Sequence, residues 1–386
     1  MKNEAIPTSY PREWVENAHS LKKAITAIHK SDTIYFDLEA DSMHHYFAKI
    51  CLMQILANGT CYLIDPLSEM DMGPLLSALE KKFMVLHGAD YDLRMLFHQH
   101  GFRPKKIFDT MIAAQLLGRK AFGLAALIKE NFEVVIDKEE QKADWSRRPL
   151  SDSMLAYAAQ DTHFLPGLHF ALSEELKAKD RFSWHEESCE ALIATTMKTR
   201  EVDPDSQWRI QGSSKLHSRQ LAALKAVWEV REEEAQKTDI PPFKIMPSEI
   251  LLRMAEAVPK EGRPELSVKM PSRLHSELKS KFLLAYEEAF LSPRQQWPLL
   301  KKPSKKPIKG HDPVLLEEMK RIRDLVAKGL DLDPSLLAPR AVLSAVATTD
   351  LISPEKIREA AKWLNWQENL LLNPWLQIGQ STKEPS

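Results

Sequence analysis

The sequence predicts an α/β N-terminal domain followed by two all-α helical domains. Apolar runs of strand length, such as Thr33–Ala40 and Phe83–Leu86, lie in the first part of the chain. Past about residue 175 such runs vanish, and helical patterns separated by proline-containing breaks take their place. We therefore expect a mixed sheet of about five strands flanked by helices in residues 1–195, helical domains in residues 205–290 and 313–378, and a linker at residues 291–312.

The first of these runs carries two carboxylates on one face of its predicted strand. Side chains alternate along a strand, so Ile34, Phe36 and Leu38 lie on one face, and Asp37 and Glu39 lie on the other. Neighbouring carboxylates repel each other and are unfavourable in strands, although a solvated edge strand tolerates them. The apolar face favours a central strand instead. Bound cations would remove the repulsion, with Asp37 bridging two metals and Glu39 binding one.

A second candidate carboxylate follows the predicted strand at Phe83–Leu86. The chain turns at Gly88 and enters a predicted helix near Tyr91. Asp90 and Asp92 both lie at the start of this helix, where a carboxylate can cap free backbone N–H groups. We assign the cap to Asp90 and retain Asp92 as a candidate metal ligand.

The third motif lies on a predicted helix over Leu155–Asp161, a segment without glycine or proline. Its spacing of four places Tyr157 and Asp161 on one helix face, one turn apart. Such a pair is common in ordinary helices, but here it follows two carboxylate motifs within the length of one domain. Four carboxylates that hold two divalent cations, with a phenol to orient a water, can hydrolyse a phosphodiester. The three motifs together predict a metal-dependent nuclease.

These motifs resemble the ribonuclease D family of the DnaQ-like 3′–5′ exonuclease superfamily, in the subtype with a tyrosine in its third motif. The resemblance extends to a turn after the third strand, a helix after the second motif and the run that leads into the third: Ile64-Asp65-Pro66-Leu67, Phe108-Asp109-Thr110 with Ala113-Ala114 and Leu116-Leu117-Gly118, and Asp137-Lys138, Gln141, Asp144-Trp145 and Arg148-Pro149-Leu150. Ala143 stands where the family has a small hydroxyl residue. The resemblance implies a ribonuclease H-like sheet.

By matching motif, the resemblance also implies the catalytic residues. The metal ligands are Asp37, Glu39, Asp92 and Asp161, and the water-orienting residue is Tyr157. An all-oxygen ligand set suits two Mg²⁺ or Mn²⁺ ions. The implied reaction is stepwise hydrolysis of single-stranded RNA from its 3′ end, which releases nucleoside 5′-monophosphates, with transfer-RNA precursors as substrates. All five positions are intact, which argues against an inactive relative.

The helical part adds a second resemblance. Residues 205–290 resemble HRDC, a small helical domain that RecQ-type helicases and ribonuclease D share. Leu221, Leu224, Val227 and Trp228 form a core-facing stripe, and three basic residues fall around the opposite side: Arg219, Lys225 and Arg231. That side could bind nucleic acid or could be the solvated face of a spacer domain. The lysines and prolines of residues 291–312 could likewise contact a phosphate backbone or form a tether.

The segment at residues 313–378 resembles a second HRDC-like repeat. Its Trp363, Trp366 and Trp375 are expected in a core rather than as stacking platforms for bases.

Composition limits the class of protein. Hydrophobic residues make up 44% and charged residues 28% of the chain, the balance of a globular protein of two or three domains. No stretch approaches the length of a membrane span, and the first residues show no signal-peptide pattern. The three cysteines, an odd number, lack metal-ligand spacing, which fits a reducing compartment. We expect a cytoplasmic monomer without a membrane or protein partner.

The net charge of −1 gives no overall basic excess, so the catalytic motifs rather than the charge predict a nucleic-acid substrate. Two alternatives stay open: a 3′–5′ DNA exonuclease of the same superfamily, and a non-catalytic nucleic-acid-binding protein whose exonuclease domain is a scaffold. The motifs do not distinguish RNA from DNA, because readout of the 2′-hydroxyl depends on local geometry.

Overall fold

The computed structural model describes residues 10–136, 139–198, 203–259, 268–272, 274–300, 313–349, 351 and 353–381. The pair Asp137-Lys138 and most of the predicted linker, residues 301–312, lie outside the described residues. Two compact units are present: one comprises the described residues of Met1–Ala40, Ile50–Lys198 and Lys306–Ser386, and the other those of Asp41–Lys49 and Thr199–Lys305. Across the described ranges, no helix is long and apolar enough to cross a membrane.

The first unit is built on a mixed sheet. Its strands are β1 (Arg12–Val15), β2 (Thr33–Ala40), β3 (Ile50–Ala57), β4 (Thr60–Ile64), β5 (Phe83–Leu86) and β6 (Lys106–Asp109), in the spatial order β1-β4-β3-β2-β5-β6. Strand β2 is antiparallel to β3 and parallel to β5, so it is an interior strand. The predicted mixed sheet is confirmed, but within the described residues it has six strands rather than about five.

Two details of the predicted element order are wrong. The segment Phe108-Asp109 closes strand β6 and does not belong to the following helix. Asp65 follows the fourth strand rather than the third. Strands β1 and β6 have four residues each, which is too short to show a period-two pattern against the neighbouring turns.

Helices cover both faces of this sheet. Those of the N-terminal part are α1 (Ala18–His29), α2 (Gly73–Glu80), α3 (Asp90–His100), α4 (Thr110–Leu116), α5 (Leu124–Phe132), α6 (Asp152–His163), α7 (Leu165–Ala178) and α8 (Phe182–Thr196), with a 3-10 helix at Glu139–Lys142. Ile34, Phe36 and Leu38 of β2 enter one core, as the alternation predicts. Helix α6 packs over strands β2, β3 and β4. Because the Asp37 side chain points away from the core that holds Phe36, it faces the α6 layer.

The second unit is helical. It contains α9 (Pro204–Gln207), α10 (Ser218–Thr238), α11 (Pro242–Ile245), α12 (Ser248–Glu256) and α13 (Ser276–Leu291). Leu221, Leu224 and Val227 are buried in its core and Trp228 packs against it, as the helical stripe predicts.

The predicted basic face of helix α10 is wrong for Arg231, whereas the Lys225 side chain is 42% exposed, as predicted. Arg231 is buried, where it pairs with Glu232 at 2.9 Å and donates to the Ser248 hydroxyl. The guanidinium of Arg219 lies 3.7 Å from the ring centre of Phe290. These two arginines therefore pack within the unit rather than forming a solvated basic surface.

The C-terminal helices belong to the same compact unit as the sheet. They are α14 (Pro313–Gly329), α15 (Pro334–Leu337), α16 (Arg340–Val346), α17 (Pro354–Ala361) and α18 (Asn365–Ser381). Their apolar residues continue the cluster that contains Val85 and Phe108 of the sheet, and Trp366 and Trp375 are buried in it, as predicted. The segment expected to form a separate domain thus shares its core with the α/β domain. The individual domain boundaries stay predictions.

Polar contacts reinforce this junction. Arg181 donates to the carbonyl oxygens of Leu116 in α4 and Leu330 after α14. Gly118 lies against the Asp331 carbonyl, where a Cβ atom would come within 2.2 Å of the oxygen. Only a glycine fits this approach, and its φ of 85° also lies in the left-handed region.

Candidate active site

Three of the predicted carboxylates converge between strand β2 and helix α6. Asp37, Glu39 and Asp161 each offer one oxygen, and these oxygens all lie within 4.8 Å of one another. The strand supplies two acids on one face because residues two apart share a face, and α6 lies over that face and supplies the third. This spacing is compatible with ligation of a shared cation by carboxylates from two elements.

The carboxylates of this cluster have raised pKa values, so their charged forms are disfavoured without a cation. Burial raises the pKa of Asp37 to about 7. Burial, together with the charges of Asp37, Asp161 and Asp92, raises the pKa of Glu39 to about 10. Burial, followed by the charge of Asp37, also raises the pKa of Asp161. Divalent cations would offset this repulsion, and the all-oxygen donor set fits Mg²⁺ or Mn²⁺.

Asp92 lies in the first turn of helix α3 and is only 7% exposed. Its pKa is raised well above its ordinary value by burial first, and then by the charges of Asp37 and Asp109. It stands outside the group of three whose oxygens lie within 4.8 Å, but its charge acts on both Asp37 and Glu39. The structure therefore places all four predicted carboxylates within electrostatic range, and three of them at ligating spacing.

The predicted capping role of Asp90 is wrong. Helix α3 begins at Asp90 itself, and the Asp90 carboxylate pairs with Arg94 one turn later, at 2.9 Å. Asp109 instead accepts hydrogen bonds from the N–H groups of Gly88 and Ala89, at 2.9 and 2.8 Å. This buried carboxylate also accepts from the N–H groups that open helix α4. Asp109 thus fixes the turn that leads into Asp92. The sequence signal for this role is an aspartate directly before a helix, which is the pattern of a helix cap.

Tyr157 is half-buried on helix α6, one turn before Asp161. Its pKa is raised by burial first, and then by the charges of Asp161, Glu39 and Asp37. The phenol therefore keeps its proton at neutral pH and can serve as a hydrogen-bonding group next to the carboxylates. A cavity of about 630 Å³ adjoins it, with Tyr10 and Arg12 among the residues that line the wall.

The chain resembles known proteins over both units. Residues 12–177 match the family model of a 3′–5′ exonuclease domain, and residues 220–262 match that of the HRDC domain. Ribonuclease D of Shewanella sp. (strain ANA-3) is 31% identical over 251 residues, which cover 64% of each chain. Ribonuclease D of Desulfotalea psychrophila is 26% identical over 379 residues, which cover 95% of this chain and 98% of that protein.

Solved structures agree on the fold. The crystal structure of Escherichia coli RNase D, an exoribonuclease involved in structured RNA processing, superposes with a TM-score of 0.71 at 22% identity. The alignment covers 97% of this chain and 100% of that one. At this identity the likeness concerns the fold.

The sheet, the carboxylates and the matched models define a 3′–5′ exonuclease domain of the DnaQ-like superfamily, joined to an HRDC domain. The chain is similar to the ribonuclease D proteins of several bacteria, over its exonuclease domain and, at lower identity, over nearly its whole length.

Proposed function

We propose that this chain is a 3′–5′ exoribonuclease of the ribonuclease D family, which shortens single-stranded RNA from its 3′ end and releases nucleoside 5′-monophosphates. The observation that carries the proposal is the convergence of Asp37, Glu39 and Asp161 within 4.8 Å of one another. Partly buried carboxylates repel each other at this spacing, so the cluster is costly unless cations bind to it.

Each of the five proposed catalytic residues has a role that its surroundings support. Asp37, Glu39 and Asp161 would hold the cations directly, and Asp92 would complete the set from helix α3. Two bound Mg²⁺ or Mn²⁺ ions would supply charge stabilisation and a more acidic water. Because the Tyr157 phenol keeps its proton, its proposed role is to orient the attacking water by a hydrogen bond rather than to accept a proton.

The substrate class belongs to the same proposal. The similarity to ribonuclease D proteins supports an RNA substrate, and we propose that transfer-RNA precursors are that substrate. The matched HRDC domain supports a nucleic-acid contact outside the catalytic domain. Because Arg231 is buried within the helical unit, such a contact would use other residues.

Digestion of labelled oligonucleotides by the purified full chain tests this proposal. Matched single-stranded RNA and DNA, each labelled at the 5′ end, are incubated with Mn²⁺ or with EDTA. We expect the RNA to shorten stepwise from its 3′ end in Mn²⁺ and to stay intact in EDTA. Faster digestion of the DNA would indicate the DNA exonuclease alternative. Binding without hydrolysis would indicate the non-catalytic alternative.

Two aspartates on helix α3 provide a matched pair of variants for the same assay. Asp92 lies within electrostatic range of Asp37, whereas Asp90 is exposed and pairs with Arg94. We expect Asp92→Asn to lose hydrolysis and Asp90→Asn to retain it. Equal activity of the two variants would remove Asp92 from the site.

A further inference from the structure

A buried glutamine faces the proposed metal ligands from the neighbouring strand. In the antiparallel pairing of β2 with β3, Gln54 lies directly opposite Asp37. Directly opposed residues project from the same face of a sheet, with Cβ atoms about 4.5–5.5 Å apart. The Gln54 side chain therefore lies beside the Asp37 carboxylate, in the layer between the sheet and helix α6.

The amide of Gln54 has no partner among the residues that the structure describes. The residue is 0% exposed, and both its Nε2 and Oε1 atoms lack a hydrogen bond. Its strand neighbours Leu52 and Leu56 belong to an apolar cluster with Met154 and Ala158 of α6. An amide buried without partners destabilises a fold, and an apolar side chain of similar size would fill the same space without that cost.

The proposed metal centre supplies the partner that this amide lacks. A carboxylate offers about four acceptor positions, and a bridging carboxylate uses only part of them for cations. Carboxylates that bind metals are themselves held by further hydrogen bonds, which fix their orientation. Asp37 is the acid closest to Gln54 by strand pairing, and its oxygen already lies within the group formed with Glu39 and Asp161.

We propose that Gln54 is a positioning residue for the metal centre, whose Nε2–H group donates to the Asp37 carboxylate once that carboxylate binds cations. The inference rests on the proposed function. In the metal-free protein the amide is unsatisfied, and metal binding satisfies it. Gln54 therefore favours the metal-bound form without touching the substrate or the reacting atoms.

Replacement of Gln54 by Met tests this role, because Met keeps the length of the side chain and removes its hydrogen-bonding atoms. The measurement is a Mn²⁺ titration of the melting temperature of the full chain, without RNA. We expect the affinity for Mn²⁺ to fall by roughly 10- to 100-fold. The metal-free melting temperature should equal or exceed that of the wild type. Met53→Leu is the control, because Met53 is a buried neighbour that faces the opposite core.

The other possible results of this experiment contradict either the role of Gln54 or the proposed function. If Gln54→Met binds Mn²⁺ as tightly as the wild type, the inference is overturned and the proposed function stands. If Gln54→Met and Gln54→Leu both fail to fold without metal, the amide has a structural partner in the metal-free protein and the inference is again overturned. If Mn²⁺ does not stabilise the wild type, the proposed function itself is contradicted.

Discussion

The guanidinium of Arg148 donates two hydrogen bonds to the carboxylate of Asp65, from Nε to Oδ2 at 2.7 Å and from Nη2 to Oδ1 at 2.6 Å. The same group donates to the carbonyl oxygens of Cys51 in β3 and Trp145. Asp65 directly follows strand β4, and Arg148 precedes helix α6. This contact therefore fixes the start of α6, which carries the third motif, to two strands of the sheet.

Removal of this contact is expected to destabilise the protein. Arg148→Ala leaves the Asp65 carboxylate, whose side chain is 8% exposed, without the guanidinium group that pairs with it. We expect a loss of about 3 kcal/mol in the free energy of unfolding, measured by urea denaturation. Arg148→Lys should lose less, because it keeps the charge but not the paired geometry. Arg147→Ala is the control, since Arg147 is 81% exposed; an equal effect of both alanine variants would contradict the role of Arg148.

A second prediction concerns the junction between the sheet and the C-terminal helices. Trp366 stacks on Trp184, with ring centres 5.0 Å apart, and is 4% exposed. Trp366→Ala should lower the free energy of unfolding by about 3–5 kcal/mol. The sheet and the C-terminal helices share one core. We therefore expect this variant to lose hydrolysis and helical structure at the same, lower temperature. A separate early transition that leaves hydrolysis unaffected would show that residues 313–378 form an independent domain.

Local patterns predicted the parts of the site that depend on neighbours in sequence. The alternation in Thr33–Ala40 predicted a buried face and an acidic face, and the spacing of Tyr157 and Asp161 predicted a shared helix face. Both elements are present. In the same way, the spacing of apolar residues along helix α10 predicted which of its residues pack in the core of the helical unit.

Contacts between distant residues escaped the prediction. Asp65 and Arg148 are 83 residues apart, and although the family resemblance includes both residues, nothing in the sequence pairs them with each other. Helical period puts Arg231 on the polar side of α10, but it does not show that Glu232 and Ser248 supply partners for a buried guanidinium. The sequence does not reveal the position of Gln54, because the pairing of β3 with β2 is a property of the folded sheet.

A third prediction concerns acid sensitivity. His169 contacts the rings of Phe108, Phe83 and Tyr35, at centroid distances of 4.6, 5.7 and 6.3 Å. Burial, followed by the charges of His185 and Lys177, lowers the pKa of His169 from 6.5 to about 4. The unfolded chain thus takes up a proton first as pH falls. The neutral His169 ring therefore makes its full contribution to the free energy of unfolding above pH 6.5. This contribution is lost progressively as the pH falls towards about 4.

His169→Phe keeps an aromatic ring and removes this titration. We expect the melting temperature of the variant, relative to the wild type, to rise steadily as pH falls from 6.5 to about 4. The comparison is made in EDTA at each pH. A difference that stays constant over this range would show that His169 does not titrate with folding.

A fourth prediction concerns Tyr157. Tyr157→Phe keeps the ring and removes only the hydroxyl that is proposed to orient the attacking water. The single-turnover rate on RNA should fall by roughly 10- to 1,000-fold, while RNA and Mn²⁺ affinities stay close to those of the wild type. Tyr35→Phe serves as the control and should retain the rate, because Tyr35 lies in strand β2 and has no proposed role in catalysis. A Tyr157→Phe variant as fast as the wild type would exclude the phenol from the mechanism.

The most direct test of the account is the Asp37→Asn variant, measured for RNA hydrolysis and for melting temperature with and without Mn²⁺. The substitution removes one proposed ligand and replaces a half-buried carboxylate, whose pKa is raised to about 7, with a neutral amide. We predict that hydrolysis and the Mn²⁺-dependent rise in melting temperature are both lost. The metal-free melting temperature should equal or exceed that of the wild type. Retained hydrolysis together with a lower metal-free melting temperature would show that Asp37 is structural, and would contradict the account.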